Sequence, residues 1–402
     1  MRVSTSWMYA SGTATLAAKQ AELLRTQQQL STGKRVLQPS DDPIAAAGAL
    51  TTQQSLALSA QFGRNQESAR STLGFAEATL GQVGEVMQDA RQLAVSAGNG
   101  ALNGADRRSL AQQLRGQMDT LLSLSNVRDG AGGYLFAGYQ ESAQPFAQTA
   151  TGVVYRGDQG SRALQVGAQR LIEVSASGAS VFESAFAGNG SFTVAPATGN
   201  SGSASVDSGS VTNPAALTGD NYQVRMQVLG GVTTYDVLNT TTATTLVSAA
   251  PYTPGMTIAF DGMQFRLNGA PAHNDAFDLA PSSRQSVFRT LENLATALES
   301  SAAGSLNEAA YQSALSAGLA CIDQAADLVR SVRTSLGARL RELDALGSQN
   351  ADQTLQYQQA LSRLTDVDFT QAISNLTLQQ ATLQAAQQSY LRVTGLSLFN
   401  FL

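Results

Sequence analysis

The side chains that most often carry enzyme chemistry are scarce in this chain. Of its 402 residues, one is cysteine, Cys321, and one is histidine, His273. A single cysteine excludes a disulfide within the chain, and the two residues cannot supply a Cys/His zinc site or a histidine-based catalytic relay. We interpret His273 as a solvated loop histidine and Cys321 as a small, semi-buried side chain beside a helical stripe. We therefore expect no catalysis, no cofactor and no metal.

Two other patterns resemble chemical sites but have simpler explanations. Asp41 and Asp42 form a carboxylate pair of the kind used in acid–base catalysis, yet Asp42 precedes Pro43 as an N-cap precedes the first turn of a helix. The segment 157–160 is rich in glycine, but the chain has no GxxxxGKS/T phosphate loop, so we interpret this segment as a hairpin turn. Neither pattern predicts an active site.

The two ends of the chain carry the clearest periodicity. Apolar side chains recur every seven residues near each terminus: Leu16, Leu23 and Leu30, and then Phe369, Leu376, Leu383 and Tyr390. This spacing predicts a helix at each end with one narrow apolar stripe for a partner helix. Glutamines interrupt both stripes where a tight coiled coil would carry aliphatic side chains: Gln20, Gln27, Gln380 and Gln387.

Such diluted stripes bury too little surface to order long helices in an isolated subunit. Ordering costs about 1–2 kcal/mol per residue, whereas each buried leucine contributes only about 1.5–3 kcal/mol. Because both ends attach to one body, the simplest arrangement places the terminal helices side by side and antiparallel. We predict that the stripe residues are subunit contacts and that neighbouring copies order the terminal helices. A globular protein with helical termini packed on its core fits the pattern equally well.

A joint is predicted between each terminal helix and the body. Gly33 suits the left-handed position that follows the end of the first helix. The first joint is a capped turn formed by Pro39, Ser40, Asp41, Asp42 and Pro43. Near the other terminus the heptad register slips between Leu364 and Phe369, and residues 365–368 resemble a capping box. We interpret residues 365–368 as the second joint.

The body between the joints reads as two helical rods around a β-rich excursion. Helices are predicted at 44–97, 105–127 and 309–346, the last continuing to Leu364, and a further helix begins near Ser283. Short strands are predicted at 134–136, 153–155, 164–166 and 171–174. Residues 188–213 read as a flexible linker. A second β unit begins at Tyr222 and includes a hairpin at Asp261-Gly262.

The predicted fold class is therefore α+β. Long antiparallel helical rods, or a coiled coil, are formed by the N- and C-terminal segments, with inserted β-rich outer domains. The predicted domains are a terminal helical domain (1–38 with 366–402), a helical rod domain with β hairpins (39–186 with 284–365), and an inserted β-rich outer domain (187–283).

Composition limits the partners and the location. The chain is mildly acidic, with a net charge of −5, and its cationic residues are arginine except for Lys19 and Lys34. Nucleic acid is therefore an unsuitable partner. Residues 1–11 lack the apolar run of a signal peptide, and no segment holds eighteen consecutive apolar residues. We expect no membrane insertion, and either a cytosolic location or export without cleavage.

The sequence motifs at both ends resemble the flagellin superfamily. At the first end the resemblance is carried by MRVST (1–5), LSTGKRV (30–36) and PSDDP (39–43). At the second end it is carried by DVDF (366–369), AISNL (372–376) and SLF (397–399). Further matches are VRTSLGAR (332–339), GYLFAG (133–138) and YRGD (155–158). Each motif is short, but their order at both ends is highly specific.

The resemblance implies a secreted structural protein of the extracellular bacterial flagellum. Its implied place is the hook-filament junction, where a ring of copies would link the first hook-associated protein to the flagellin filament. The implied route is the flagellar type III export apparatus, with an export chaperone. The terminal helices would form the inner tubes, the rods a middle shell and the β domains the outer surface. Filament-forming flagellin is the alternative, disfavoured by the two prolines of the first joint, and a cytosolic coiled-coil signalling protein is a second alternative.

The terminal stripes generate a first prediction. Deleting residues 376–402 should leave a soluble, folded body that no longer assembles, because the second stripe then lacks most of its length. Solubility and circular dichroism test the folding of the body. Restoration of filaments in a strain that lacks the gene for this protein, the deletion strain, tests assembly. A truncated chain that still restored filament growth would contradict the prediction.

Overall fold

Helices lie toward both ends of the described residues, and the strands lie between them. The computed structural model describes residues 5–130 and 132–395. Within them the helices are α1 (Thr5–Thr32), α2 (Pro43–Ala97), α3 (Gly104–Ser125), α4 (Gly178–Phe182), α5 (Val287–Ala302), α6 (Glu308–Thr365) and α7 (Phe369–Gly395). This arrangement confirms the predicted α+β class. The motifs at 1–4 and 397–399 lie outside the described residues.

The strands are short, and every pair among them is antiparallel. They are β1 (Phe146–Thr149), β2 (Gly152–Tyr155), β3 (Ala163–Gly167), β4 (Arg170–Glu173), β5 (Ala185–Phe186), β6 (Phe192–Pro196), β7 (Ser205–Val206), β8 (Ser210–Val211), β9 (Tyr222–Leu229), β10 (Val232–Asn239), β11 (Thr244–Pro251), β12 (Thr257–Phe260), β13 (Met263–Asn268), β14 (Ala276–Pro281) and β15 (Arg284–Gln285). A 3-10 helix, Pro214–Ala216, precedes β9.

The chain divides into two units. The terminal unit comprises the described residues of Met1–Arg64 and Ala345–Leu402, and it contains α1, α7 and the adjoining parts of α2 and α6. The central unit, Asn65–Asp344, contains α3 to α5, the strands named above and the remaining parts of α2 and α6. The predicted three-domain boundaries remain a prediction.

In the terminal unit, α1 packs against α7 in the antiparallel sense. Gly12, near the start of α1, faces the ring of Tyr390 near the end of α7, and a Cβ on Gly12 would stand 2.8 Å from that ring. Gly33, just after α1, faces Phe369 at the start of α7. Glycine at position 12 therefore gives the ring of Tyr390 the space it occupies.

In the central unit, α2 and α6 bury matching stripes. The buried side chains of α2 recur every three or four residues: Leu73, Ala76, Leu80, Val83, Met87, Ala90 and Ala94. Those of α6 recur every seven: Leu315, Ile322, Val329, Leu336 and Leu343. These stripes lie within the helices predicted at 44–97 and 309–364, which the structure confirms. The two helices also contact each other directly, since the Tyr311 hydroxyl of α6 donates to Ala97 O, at the end of α2, at 2.7 Å.

Exposed ion pairs accompany these stripes. Arg70 lies 2.7 Å from Asp344, Arg91 lies 2.7 Å from Asp323, and Arg333 lies 2.5 Å from Glu77. Partner numbers fall along α6 as they rise along α2, so the helices run antiparallel. Since exposed pairs contribute about 0–1 kcal/mol each, apolar burial stabilises the rods and the ion pairs favour one register.

An aromatic cluster replaces the strand predicted at 134–136. Residue 134 makes only an isolated bridge to Arg128, and the next two side chains are buried. Ring centroids 5.0–6.0 Å apart connect the members of the cluster, which are Phe136, Phe146, Tyr155, Phe182 and Phe288. Side-chain packing between segments distant in sequence, rather than a backbone ladder, explains this apolar run.

The prediction of a flexible linker at 188–213 is wrong. This segment contains β6, which pairs with β14, and β7 and β8, which pair with β13. Phe192, Val194 and Val206 are buried in the core of the outer sheets. Glycines at positive φ, such as Gly199 and Gly209, provide tight turns between these strands. The glycine- and serine-rich composition, which is typical of a linker, belongs here to short strands joined by tight turns.

The two turn predictions had opposite outcomes. The hairpin at Asp261-Gly262 is confirmed, since both residues have positive φ and Phe260 pairs with Met263. The hairpin turn at 157–160 is wrong, because the segment joins β2 to β3, which belong to different sheets. There the Asp158 carboxylate accepts hydrogen bonds from the backbone of Tyr139, Gln140 and Gly160.

The scarce chemical side chains lie apart. Cys321 is buried in the central unit, where its sulfur accepts a hydrogen bond from the backbone N–H of Gly188 at 3.2 Å. Burial raises the pKa of the Cys321 thiol. His273 is exposed, and its Nδ1 accepts a hydrogen bond from Val228 N. Across residues 5–130 and 132–395, no three His, Cys, Asp or Glu side chains gather as metal ligands would, and no helix is long and apolar enough to span a bilayer.

The apolar core formed by the strands between Phe192 and Leu279 generates a second prediction. Phe277 lies in β14 between β9 and β6 and is fully buried. Phe277→Ala should lower the free energy of unfolding of this sheet by about 3–5 kcal/mol. Leu229→Ala in β9, where the side chain is 64% exposed, should change it by less than about 0.5 kcal/mol. Urea-dependent amide exchange in β9 and β14 measures both, and equal effects would contradict the prediction.

Candidate assembly site at the terminal joints

The chain just after α1 meets the second predicted joint in the structure. Val367 N donates to Gly33 O at 2.9 Å, and Arg35 N donates to Thr365 O at 2.7 Å. These bonds form an antiparallel bridge in which Lys34 pairs with Asp366. We call residues 33–42 together with 364–368 the paired joint. The sequence predicted joints at 39–43 and 365–368, and in the fold residues 33–35, which precede the first joint, pair with the second.

Local caps define the helix ends around the paired joint. α1 ends at Thr32, and Gly33 has φ +71°, as predicted for the residue after a helix end. α7 begins after Asp368, whose Oδ1 accepts hydrogen bonds from Thr370 N and Gln371 N. The predicted capping box is therefore wrong: the residue at its first position, 365, is the last of α6, and Asp368 is the cap itself.

The aspartate pair of the first joint is structural. Asp42 Oδ1 accepts a hydrogen bond from Ala45 N at 3.0 Å, so Asp42 caps α2, as predicted. Asp41 Oδ2 accepts from Gln38 N and Leu37 N, both at 3.0 Å. A backbone hydrogen bond is the largest cause of the lowered pKa of each carboxyl group, from Gln38 N for Asp41 and from Ala45 N for Asp42. Lowered pKa values keep both groups ionised, which suits caps rather than proton transfer.

Arginines tie the same aspartates to neighbouring segments. Arg25 of α1 lies 2.9 Å from Asp41, and Arg35 lies 3.0 Å from Asp42. The Arg35 guanidinium also donates to Leu364 O, at the end of α6, at 2.9 Å. The first joint is therefore bonded to α1 and α2 directly and to α6 through Arg35. The sequence indicated the aspartates and a cation at position 35 just after a helix end, but not the contact of Arg35 with α6.

The predicted stripe residues are only partly covered in the single chain. Six of them are half-buried in the terminal unit: Leu16, Leu23, Leu30, Leu376, Leu383 and Tyr390. Phe369 is 53% exposed. Each stripe therefore keeps some apolar surface that another chain could cover. Their role as subunit contacts remains a prediction.

Further apolar side chains of the terminal helices are exposed away from the stripes. Those more than half exposed are Trp7, Leu24, Ile373, Leu378, Leu391 and Val393. These positions were not predicted because they lie outside the single seven-residue repeat that marks each terminal helix. A search for apolar residues outside that repeat would have found them. Large apolar groups left in water on paired helices are typical of a surface that binds a partner.

A groove in the central unit is less suited to a ligand. It encloses about 580 Å³ between α2 and α6. Of the charged groups that line it, Arg91 pairs with Asp323, and Arg333 pairs with Glu77 outside the lining. These charges already have partners within the chain, so the paired joint and the exposed terminal surface are the stronger candidates.

Comparison with known families agrees with this architecture. The bacterial flagellin N-terminal helical region matches residues 3–141, and the bacterial flagellin C-terminal helical region matches residues 319–402. The two matched regions include α1, α7 and most of both rods. With a β-rich segment between them, they define a structural protein of the flagellin type.

Full-length relatives give a narrower assignment. The chain is 31% identical to flagellar hook-associated protein 3 of Salmonella typhimurium over 399 residues, covering 99% of both chains. The crystal structure of hook-associated protein 3 from Legionella pneumophila matches with a TM-score of 0.75 and 31% identity, covering 78% of this chain and 98% of that one. FlgL of Xanthomonas campestris matches with a TM-score of 0.70 and 28% identity, covering 77% and 99%. The chain therefore belongs to the flagellar hook-associated protein 3 family and is a structural protein of the flagellum.

The glycine of the paired joint generates a third prediction. Gly33→Ala should destabilise the joint by about 1–2 kcal/mol, because an L-residue at φ +71° is strained. Gly116→Ala is the matched control: this glycine lies inside α3 with no atom near its absent side chain, so alanine should be neutral or stabilising. Amide exchange at Val367 measures the joint, and unchanged exchange in Gly33→Ala would contradict the prediction.

Proposed function

We propose that this protein forms the junction between the flagellar hook and the flagellar filament. The observation that carries the proposal is the match, over almost the whole chain, to proteins named flagellar hook-associated protein 3. A solved relative from Legionella pneumophila, 30% identical, is described as the flagellar junction protein FlgL. The proposed neighbours are the first hook-associated protein on the hook side and flagellin on the filament side.

The exposed surface of the terminal unit supports assembly. Leu24 of α1 and Ile373 and Leu378 of α7 are each more than half exposed, although α1 and α7 already pack together. Burying such side chains contributes about 1.5–3 kcal/mol each. Copies of the same chain would provide the covering surface in a ring, in which every subunit offers the same contacts.

The proposed domain division follows from the same reasoning. Residues 1–38 with 366–402 would form the inner tube, residues 39–186 with 284–365 the rod shell, and residues 187–283 the outer surface. The pairing of β5 with β15 supports the outer boundary, because the excursion leaves and returns through adjacent strands. We propose no catalytic role, and we place the protein outside the cell after type III export with a chaperone.

Filament-forming flagellin is the second candidate. The chain carries both flagellin helical regions, which are the feature that favours it. Electron microscopy of purified protein separates the two functions. Long filaments grown from this chain alone would favour flagellin, whereas short caps on isolated hook ends support the junction.

A deletion strain provides the fourth prediction. It should make hooks, lack filaments and release monomeric flagellin into the medium, and the parental chain should restore filaments. Leu378→Asp, which adds a charge to the exposed face of α7, should fail to restore them. Leu229→Asp, at a similarly exposed position of the outer domain, should succeed. Filaments on the deletion strain itself would overturn the proposed function.

A further inference from the structure

Arg35 is held by three different segments of the terminal unit. Its backbone N–H donates to Thr365 O, and its backbone carbonyl accepts from Gln29 Nε2 at 2.7 Å. Its guanidinium donates to Asp42 Oδ2 at 3.0 Å and to Leu364 O at 2.9 Å. One residue therefore contacts α1, the cap of α2 and the end of α6.

The charge of Arg35 suits this position. The last carbonyl groups of a helix lack intrahelical donors and carry partial negative charge. Leu364 and Thr365 are the last two residues of α6, and Arg35 donates to the carbonyl oxygens of both. The Asp42 carboxylate, 3.0 Å from Nη1 of the same guanidinium, adds a full negative charge. The planar guanidinium can bond both acceptors at once, which a single ammonium group does less well.

We propose that Arg35 is the positioning residue of the terminal helix pair. By joining the end of α6 to the cap of α2, it fixes the point from which α1 and α7 leave the rods, so that their exposed apolar faces stand in one arrangement. The use of that arrangement in assembly rests on the proposed function. The geometry itself is a property of the single chain.

The arrangement differs from an ordinary surface ion pair. The side chains of Arg35 and Asp42 are 46% and 32% exposed, and an isolated pair with that exposure contributes little. Here the same guanidinium also bonds Leu364 O, beside the antiparallel bridge of Lys34 and Asp366. Loss of Arg35 therefore releases the ion pair and a backbone acceptor together.

Hydrogen exchange on the full-length monomer tests this positioning role. Arg35→Ala should raise the exchange rate of the Val367 amide, whose bond to Gly33 O closes the bridge, by about tenfold. Arg35→Lys keeps the charge but loses the planar guanidinium that bonds two acceptors. It should raise the exchange rate of the Val367 amide by a smaller factor. Asp42→Asn removes the charge that pairs with Arg35 but retains a capping side chain. It should therefore raise the exchange rate of the Val367 amide and leave exchange at Ala45 and Ala46 unchanged.

Lys34→Ala is the matched control, because Lys34 is an exposed cation next to Arg35. It should leave exchange of the Val367 amide unchanged. The positioning role is overturned if Arg35→Ala exchanges at the parental rate, or if Lys34→Ala accelerates exchange as much as Arg35→Ala does. Arg35→Lys and Asp42→Asn decide the question if the alanine variant fails to fold.

Filament growth separates this inference from the proposed function. If the parental chain restores filaments in the deletion strain and Arg35→Ala, with a loosened joint, does not, the role of Arg35 in assembly is supported. If the loosened variant restores filaments fully, that role is wrong and the junction function stands. A parental chain that restores none overturns the junction function, while the exchange rates still decide whether Arg35 holds the joint.

Discussion

The contact on which the rest of the terminal unit depends is the two-bond bridge between Lys34 and Asp366. These residues lie near opposite ends of the chain, and the bridge brings together the end of α1, the start of α2, the end of α6 and the start of α7. Each helix end there would otherwise expose unsatisfied backbone groups. Caps from Asp42 and Asp368, together with Arg35, satisfy several of them.

Apolar burial is distributed unevenly between the two units. The rods of the central unit bury a side chain in almost every turn, including Leu80 on α2, and one in every heptad from Leu315 to Leu343 on α6. In the terminal unit the stripes are half-buried, and large side chains such as Leu378 remain exposed. A helix pair in this condition has apolar surface still to bury, which is the physical basis of the proposal that it contacts other subunits. The paired joint, where the helix ends are capped, fixes where α1 ends and α7 begins.

The errors of sequence reasoning have a common physical cause. Heptad spacing identified the rods because the same face of a helix recurs about every seven residues. Buried positions such as Leu315 and Leu343 therefore share one period. The outer sheets contain short strands whose partners are distant in sequence, as β6 and β14 are. Glycine and serine composition at 188–213 suggested a linker because turns between short strands use the same residue types as flexible chain. Asp158 was misassigned because its backbone partners, at 139 and 140, lie in another loop.

The sequence by itself determined the elements whose cause is local: the helical ends, the left-handed Gly33, the Asp42 cap and the Asp261-Gly262 hairpin. These depend on backbone preferences and on donors within a few residues. Only the tertiary structure decided that residues 33–35 pair with the second joint, that Arg35 bonds the end of α6 as well as Asp42, and which apolar side chains of α1 and α7 remain exposed. Those features depend on hydrogen bonds and burial between segments more than three hundred residues apart, and periodicity within one segment carries no information about them.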